Sequence, residues 1–149
     1  MPTNDRFIYL VSMAQHTLRT HLHNLFSKKG MKITPPQATL LFVLQERDGR
    51  IMSELGQIIG VDNSAITGLV DRLEKAGLVT RKLNPEDRRS LLIYITPGGR
   101  KEAKKAESII GSVNAIIKEG FSEREIDTFK KILRSFFEKF GSRQGHGFQ

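Results

Sequence analysis

The side chains best suited to chemistry in this sequence are hydrogen-bond donors, and most of them fall in the segments 62–76 and 84–90. In the first segment, small and polar residues recur at intervals of three and four, which places them on one face of a helix. In the second segment, two arginines follow a turn-forming Asn-Pro pair. Hydroxyl, amide and guanidinium groups donate hydrogen bonds to phosphate oxygens and to acceptor atoms on base edges. The candidate contact residues are Ser53, Asn63, Ser64, Thr67, Gly68, Arg72, Lys75, Arg88 and Arg89.

The sequence does not contain the residue patterns of common catalytic or metal-binding sites. It has no Ser/His/Asp order of a hydrolase, no glycine-rich phosphate loop and no paired-carboxylate signal of an acid–base enzyme. His16 and His23 share one face of the first predicted helix, but no His-x-x-x-His pair or carboxylate cluster accompanies them. The chain contains no cysteine, which excludes disulfides and thiol chemistry. We therefore predict that the protein is not an enzyme and that it holds no metal and no cofactor.

The segment from Asp62 to Ala76 is predicted to be a helix with both ends defined. Asp62 can cap its first turn, and Gly77 can close its last turn in a left-handed conformation. A shorter helix precedes it, with Ser53 as the predicted cap and Gly60 at the end. Two helices joined by a tight glycine turn form a helix-turn-helix, whose second helix presents its N-terminal residues to base edges. The apolar face of the second helix consists of Ile66, Leu69, Val70 and Leu73.

After Gly77 the residue pattern changes from helical to alternating. The runs 79–83 and 91–95 are rich in β-branched and apolar residues, and they predict two strands around a seven-residue loop. The loop carries Arg88 and Arg89. Exposed charges are common on hairpins because they favour solubility. Because this hairpin follows directly after a helix-turn-helix, we instead interpret it as a wing that contacts the same DNA as the second helix.

Several motifs occur in a fixed order between residues 34 and 104. Ser64 and Thr67 lie early in the second helix, the run LVDRLEKAGLVTR occupies 69–81, Asp87-x-Arg89 lies in the hairpin, and Thr96-Pro97-x-Gly99 precedes the next helix. In this order and spacing the chain resembles the winged helix-turn-helix regulators of the MarR family. The resemblance implies a homodimer that binds a palindromic operator in double-stranded DNA, with the recognition helix in the major groove. It also implies that Arg89 enters the minor groove and that Asp87 orients it.

The chain is predicted to be helical on both sides of this region. A long amphipathic helix runs from Asp5 to Lys29, and Thr34 and Thr96 each precede a proline at a predicted helix start. The run 122–125 is a capping box that opens the last helix. The predicted fold is mainly α (α+β), with a winged helix-turn-helix DNA-binding lobe and a helical dimerisation lobe. The predicted divisions are an N-terminal dimerisation helix at 1–33, the DNA-binding lobe at 34–100, C-terminal dimerisation helices at 101–140 and a disordered tail at 141–149.

The terminal helices carry an apolar stripe that has to be covered, because a wide exposed phenylalanine surface would aggregate. Either the same chain or a second copy can cover it. We favour a second copy, since a two-fold protein places two recognition helices about one DNA turn apart. The residues predicted at the dimer interface are Phe7, Leu10, Ile126, Phe129, Ile132, Leu133, Phe136, Phe137 and Phe140.

The composition agrees with a DNA-binding protein. The 149-residue chain has a net charge of +8, which favours a polyanionic partner, although the charge is spread along the chain. Its 38% hydrophobic and 27% charged residues are typical of globular proteins. The sequence shows neither a signal peptide nor an apolar run long enough to cross a bilayer. We therefore expect no membrane association and a cytoplasmic location.

Alternatives remain for the effector and for the class of function. His16, Thr20 and His23 are candidates to line a mostly apolar pocket for a small aromatic or phenolic effector. The alternative for the histidines is a role as polar interface residues. The alternative for the effector is that none exists and that the protein is a constitutive repressor. The second class of function is a winged-helix module that mediates protein–protein contact without specific DNA binding. Salt-dependent binding to a palindromic duplex distinguishes these two classes.

Overall fold

The structure, a computed structural model, describes residues 6–141, which form six helices and a three-stranded antiparallel sheet. The helices are α1 (Phe7–Lys28), α2 (Pro35–Glu46), α3 (Met52–Ile59), α4 (Asn63–Lys75), α5 (Pro97–Lys118) and α6 (Glu123–Phe140). The strands are β1 (Arg50–Ile51), β2 (Val79–Asn84) and β3 (Asp87–Ile95), in the sheet order β1-β3-β2. These elements confirm the predicted fold class, with α3 and α4 as the helix-turn-helix and β2 and β3 as the wing.

Two predictions fall partly beyond these residues. The predicted first residue of the N-terminal helix, Asp5, lies outside the described residues, and so does the predicted tail apart from Gly141. The chain divides into two compact units, one ending at Ile109 and one starting at Ile110, so the division falls inside α5. The functional division into DNA-binding and dimerisation lobes stays a prediction. No helix within residues 6–141 is both long enough and apolar enough to span a bilayer.

The first unit has one hydrophobic core, to which α2, α3, α4 and the sheet all contribute. Burying each large aliphatic side chain contributes about 1.5–3 kcal/mol to folding. Four such side chains of α4 enter this core, and they fix which face of the helix points outward. The fully buried large side chains in this core include Leu40, Leu41, Leu44, Leu55, Ile66, Val70, Leu73, Val79 and Ile93.

Several predicted helix ends are confirmed. The carboxylate of Asp62 accepts a hydrogen bond from the Ala65 N–H at 2.8 Å, which caps α4, and Gly77 has a φ of +75° just after the helix. Thr34 and Ser122 both form complete capping boxes, at the starts of α2 and α6. Each such cap satisfies backbone N–H groups that the first helical turn leaves without partners.

The predicted cap at Ser53 is wrong. α3 begins at Met52 with Ile51 at its N-cap, so Ser53 lies in the first turn and makes no capping hydrogen bond. The physical reason is β1, which pairs with β3 and leads directly into the helix without an intervening loop. A strand of two residues is too short to show the alternating pattern by which strands are recognised in a sequence.

The wing turn is shorter than predicted. The strands extend to Asn84 and Asp87, so only Pro85 and Glu86 form the tip, instead of the seven-residue loop. Polar side chains hold the two strands together at this end of the hairpin. The Asn84 amide accepts from the Glu86 N–H at 3.1 Å and donates to the Ser90 hydroxyl at 3.0 Å. Such side-chain bonds let a strand pair continue through residues that otherwise indicate a loop.

One junction joins the end of α4, the wing and the start of α5. The Thr96 hydroxyl donates to the Gly77 carbonyl at 2.7 Å and accepts from the Gly99 N–H at 3.0 Å. The Thr96 N–H donates to the Leu78 carbonyl at 3.0 Å. α5 passes so close to this carbonyl that a Cβ on Gly99 would lie 2.1 Å from the Leu78 oxygen and 2.7 Å from Ile95 Cγ1. Glycine is therefore required at position 99 by backbone proximity.

We expect Gly99→Ala to lower the free energy of unfolding by at least about 1–3 kcal/mol, because overpacking against a backbone atom forces the chain to shift. Gly98→Ala is the matched control, since its Cβ would meet its nearest neighbour, the Gly77 carbonyl oxygen, at 3.6 Å. The control should be as stable as the parent or slightly more stable. Thermal and urea unfolding measure both effects, and equal midpoints for the two variants would contradict the proposed role of this junction.

Candidate nucleic-acid interface

The outward face of α4 carries most of the predicted contact residues. Asn63, Ser64, Thr67, Arg72 and Lys75 are all exposed, whereas the opposite face of the helix is buried in the core. The Thr67 hydroxyl donates to the Asn63 carbonyl of the same helix at 2.7 Å. Its oxygen therefore remains available as an acceptor, and its methyl group is suited to apolar contact with a thymine methyl.

The cations of α4 and of the wing tip are free of ion pairs. Within residues 6–141, no salt bridge joins Arg72, Lys75, Arg88 or Arg89 to a carboxylate. The arginines that support the fold are paired instead. They are Arg47 and Arg50 with Glu54, Arg81 with Asp71 and Glu74, and Arg100 with Asp48. These four cations are among the candidate contacts, and their charge is available to an anionic partner.

Hydrogen bonds from side chains hold the wing tip in shape. The Asp87 carboxylate accepts from the backbone N–H of Arg89 at 3.0 Å, and the Ser90 hydroxyl donates to the Asp87 carbonyl at 3.3 Å. Asp87 therefore acts on the backbone of Arg89. Arg88 and Arg89 lie at the start of β3, directly after this turn, and both side chains are exposed.

Arg81 connects the wing to α4, a role that the residue patterns alone do not predict. Its guanidinium group pairs with Asp71 of α4, and its Nε lies 3.7 Å from the Glu74 carboxylate, also on α4. The Arg81 side chain is only 23% exposed. The signal in the sequence is the spacing of Asp71 and Glu74, which places two carboxylates on neighbouring turns facing the first strand after the helix. This pair of contacts fixes the angle between helix and wing.

Ser53 lies beside a second charged cluster. It is exposed in the first turn of α3, next in sequence to Glu54, which pairs with both Arg47 and Arg50. Two guanidinium groups sharing one carboxylate leave a net positive charge at this end of the helix. Ser53 is thus accessible, although it does not cap the helix.

The histidines predicted to contact an effector lie on one side of α1. His16, Thr20 and His23 line an open groove of about 340 Å³ together with Arg19 and Asn24. Within residues 6–141, no group of three or more His, Cys, Asp or Glu residues is arranged to hold a metal ion. All the lining residues come from a single helix, so the groove is a surface feature of this chain.

The apolar residues of the terminal helices are exposed. No side chain of α6 is buried, and the exposed fraction reaches 82% for Phe140. Phe7 and Leu10 of α1 are 64% and 59% exposed. Phe7 and Leu10 lie in the compact unit that ends at Ile109, and α6 lies in the unit that starts at Ile110. The other exposed or half-buried members of the predicted dimer set are Ile126, Phe129, Ile132, Leu133, Phe136 and Phe137.

Comparison with known proteins identifies the relatives of this chain. The sequence profile of the MarR family matches residues 33–91. The organic hydroperoxide resistance transcriptional regulator of Bacillus subtilis (strain 168) is 28% identical over 138 residues, which is 93% of this chain and 91% of that protein. The crystal structure of a probable transcriptional regulator from Pseudomonas aeruginosa aligns with a TM-score of 0.76 at 27% identity, over 89% of this chain and 98% of that chain.

A mutant MarR from E. coli in complex with operator DNA aligns with a TM-score of 0.77 at 25% identity, over 85% of this chain and 90% of that chain. The segment matched by the family profile begins just before α2 and ends within β3, so it contains the whole helix-turn-helix and the wing tip. The predicted resemblance is confirmed: residues 33–91 match the MarR family, and the similar proteins are transcriptional regulators.

Proposed function

We propose that this protein is a cytoplasmic transcriptional repressor that binds a palindromic DNA operator as a homodimer. The observation that carries the proposal is the set of four unpaired cations on α4 and the wing tip, while the arginines around them are paired with carboxylates. Unpaired exposed cations release counterions from DNA when they meet phosphates, and this release drives binding. The alternative, a module that contacts only proteins, predicts no duplex binding even at low salt.

In the proposed complex α4 lies in the major groove. Asn63, Ser64 and Thr67 occupy its N-terminal half, the part of a recognition helix that contacts base edges. Lys75, near the C-terminal end of the helix, and Ser53 in α3 are placed for phosphate contacts. Base contacts specify the sequence, whereas phosphate contacts position the protein on the duplex.

The wing supplies the second contact of each half-site. Its narrow two-residue tip presents Arg88 and Arg89. We assign Arg89 to the minor groove, where a narrow A·T-rich segment concentrates negative potential. Asp87 supports this role by fixing the Arg89 backbone. Because Arg81 ties the wing to α4, the two contacts keep a constant spacing on the DNA.

We expect Arg89→Ala to weaken binding to the operator by about 1–3 kcal/mol, since the minor-groove contact and its shape readout are lost. Arg124→Ala is the matched control, because it removes the same charge from an exposed position at the start of α6. Fluorescence anisotropy with an operator obtained by selection from random duplexes measures both affinities. If the two variants bind equally well, Arg89 does not enter the minor groove.

The exposed apolar surface supports the proposed dimer. An isolated helix of this length is marginal in water, and α6 buries none of its side chains within its own chain. A second copy of the chain covers such a surface in a self-complementary interface. Two-fold symmetry also places two recognition helices about one DNA turn apart, which a palindromic site requires. We assign the exposed apolar side chains of α1 and α6 to this interface.

The full-length chain, of 16.9 kDa, is expected to sediment as a dimer at micromolar concentration. The double variant Phe129→Gln and Ile132→Gln should dissociate it, because both side chains are about half exposed in the single chain and are proposed to be buried in the dimer. Lys130→Gln with Lys131→Gln is the control on the same helix and should remain dimeric. A parent chain that sediments as a monomer would contradict the proposal.

We further propose that a small aromatic carboxylate or phenolic compound releases the repressor from its operator. The groove of His16, Thr20 and His23 supports this proposal, since Arg19 beside it supplies a positive charge for an anion. The Bacillus subtilis relative is named for organic hydroperoxide resistance, but this chain has no cysteine and so has no thiol response to oxidants. A non-covalent ligand acts instead by binding the DNA-incompetent state more tightly.

Benzoate or 4-hydroxybenzoate is therefore expected to raise the unfolding midpoint and to weaken operator binding by about 1–3 kcal/mol. Replacing both His16 and His23 by alanine should abolish this effect. His21→Ala is the control, because His21 lies outside this groove. If neither compound shifts the midpoint or the operator affinity, the protein does not respond to this class of effector.

A further inference from the structure

Gly68 lies in the middle of the recognition helix, where glycine is an unfavourable residue. Glycine destabilises a helix interior relative to alanine, because the backbone loses more freedom on folding. Its conformation does not require glycine, since Gly68 is not among the residues with positive φ. Crowding does not require it either. A Cβ at this position would have one neighbour within 4 Å, the Nη2 atom of Arg72 at 3.7 Å.

At two other helical positions of the first compact unit, crowding explains why the residue is glycine. At Gly99 a Cβ would clash with the Leu78 carbonyl, and at Gly56 it would lie 3.2 Å from the Val61 carbonyl oxygen. Gly68 has no such neighbour in the protein, and it lies on the outward face of α4. The absence of a side chain there leaves space on the surface that is proposed to meet DNA.

The side chain next to this space belongs to Arg72, one turn further along the helix. Its Nη2 atom lies within van der Waals distance of the position that a Gly68 Cβ would occupy. The guanidinium group thus lies back over the preceding turn, toward the N-terminal half of the helix, as helical side chains generally do. Arg72 forms no ion pair within the described residues, so both of its guanidinium edges are available.

We propose that Gly68 is the point of closest approach between α4 and the base pairs, and that Arg72 crosses the space it leaves to bind a guanine. The chemistry is a pair of parallel hydrogen bonds from the guanidinium group to O6 and N7 in the major groove. An added methyl group at position 68 holds the helix away from the base edges and occupies the path of Arg72. This inference rests on the proposed DNA-binding function and adds one specificity determinant to it.

The test compares Gly68→Ala with Gly111→Ala, a change inside α5 with nothing within 4 Å of the new Cβ. Both variants should raise the unfolding midpoint by about 2–4 °C, because alanine is the better helix former. Only Gly68→Ala should then weaken binding to the operator, by roughly tenfold or more. Its binding to a random duplex of the same length should stay within about twofold of the parent, since phosphate contacts do not depend on the base edges.

Replacing each guanine pair of the operator in turn identifies the contact. The parent should lose roughly tenfold in affinity at one guanine of each half-site, and both Gly68→Ala and Arg72→Ala should be insensitive to that same replacement. If Gly68→Ala binds the operator as tightly as the parent, or if Arg72→Ala retains the guanine preference, the inference is wrong while the proposed function stands. If the parent itself prefers no sequence, the proposed function and this inference both fail.

Discussion

The architecture depends on the junction where the Leu78 carbonyl, the Thr96 hydroxyl and Gly99 meet. The recognition helix ends there, both wing strands begin or end there, and α5 starts there. The Thr96 side chain links the carbonyl of Gly77 to the first turn of α5, so the end of one helix and the beginning of another share a single hydroxyl group. A fold with this arrangement cannot change the angle of α4 without moving the wing and α5. The two DNA contacts of the proposed complex are thereby kept in one rigid frame.

Charge pairing separates the residues that maintain this frame from those that remain available to a partner. Arg81 and Arg50 are largely buried and paired, with side chains 23% and 12% exposed. Removing one partner of such a pair leaves a poorly solvated charge, which makes these arginines structural. The exposed cations of α4 and the wing tip have no such partners within the described residues, and exposed ion pairs are worth little in any case. Their charge is therefore available at little energetic cost when phosphates approach.

Local signals in the sequence predicted the helix-turn-helix well. Asp62, Thr34 and Ser122 were identifiable as caps because a cap acts on residues two or three positions away. The start of α3 at Met52 and the two-residue wing tip were missed because they arise from strand pairing between segments more than 40 residues apart and from polar bonds around Asn84. The role of Arg81 was missed for a related reason, since its partners become neighbours only when the strand folds back along the helix. The contact residues were predicted through position on a helix face, and their action on DNA remains a proposal.

In the proposed dimer, the exposed stripe of α6 links assembly thermodynamically to DNA binding. The capping box at Ser122 stabilises the first turn, but no buried side chain secures the rest of the helix within its own chain. In that dimer the folding of α6 and the association of two chains are coupled. Association buries the apolar side chains that stabilise the helix, and the folded helix forms the surface that associates. Under the proposed function, operator DNA binds the dimer preferentially, since only a dimer presents two recognition helices at the spacing of one DNA turn. In that case DNA binding favours association, and conditions that loosen α6 weaken DNA binding without altering any residue proposed to contact the DNA.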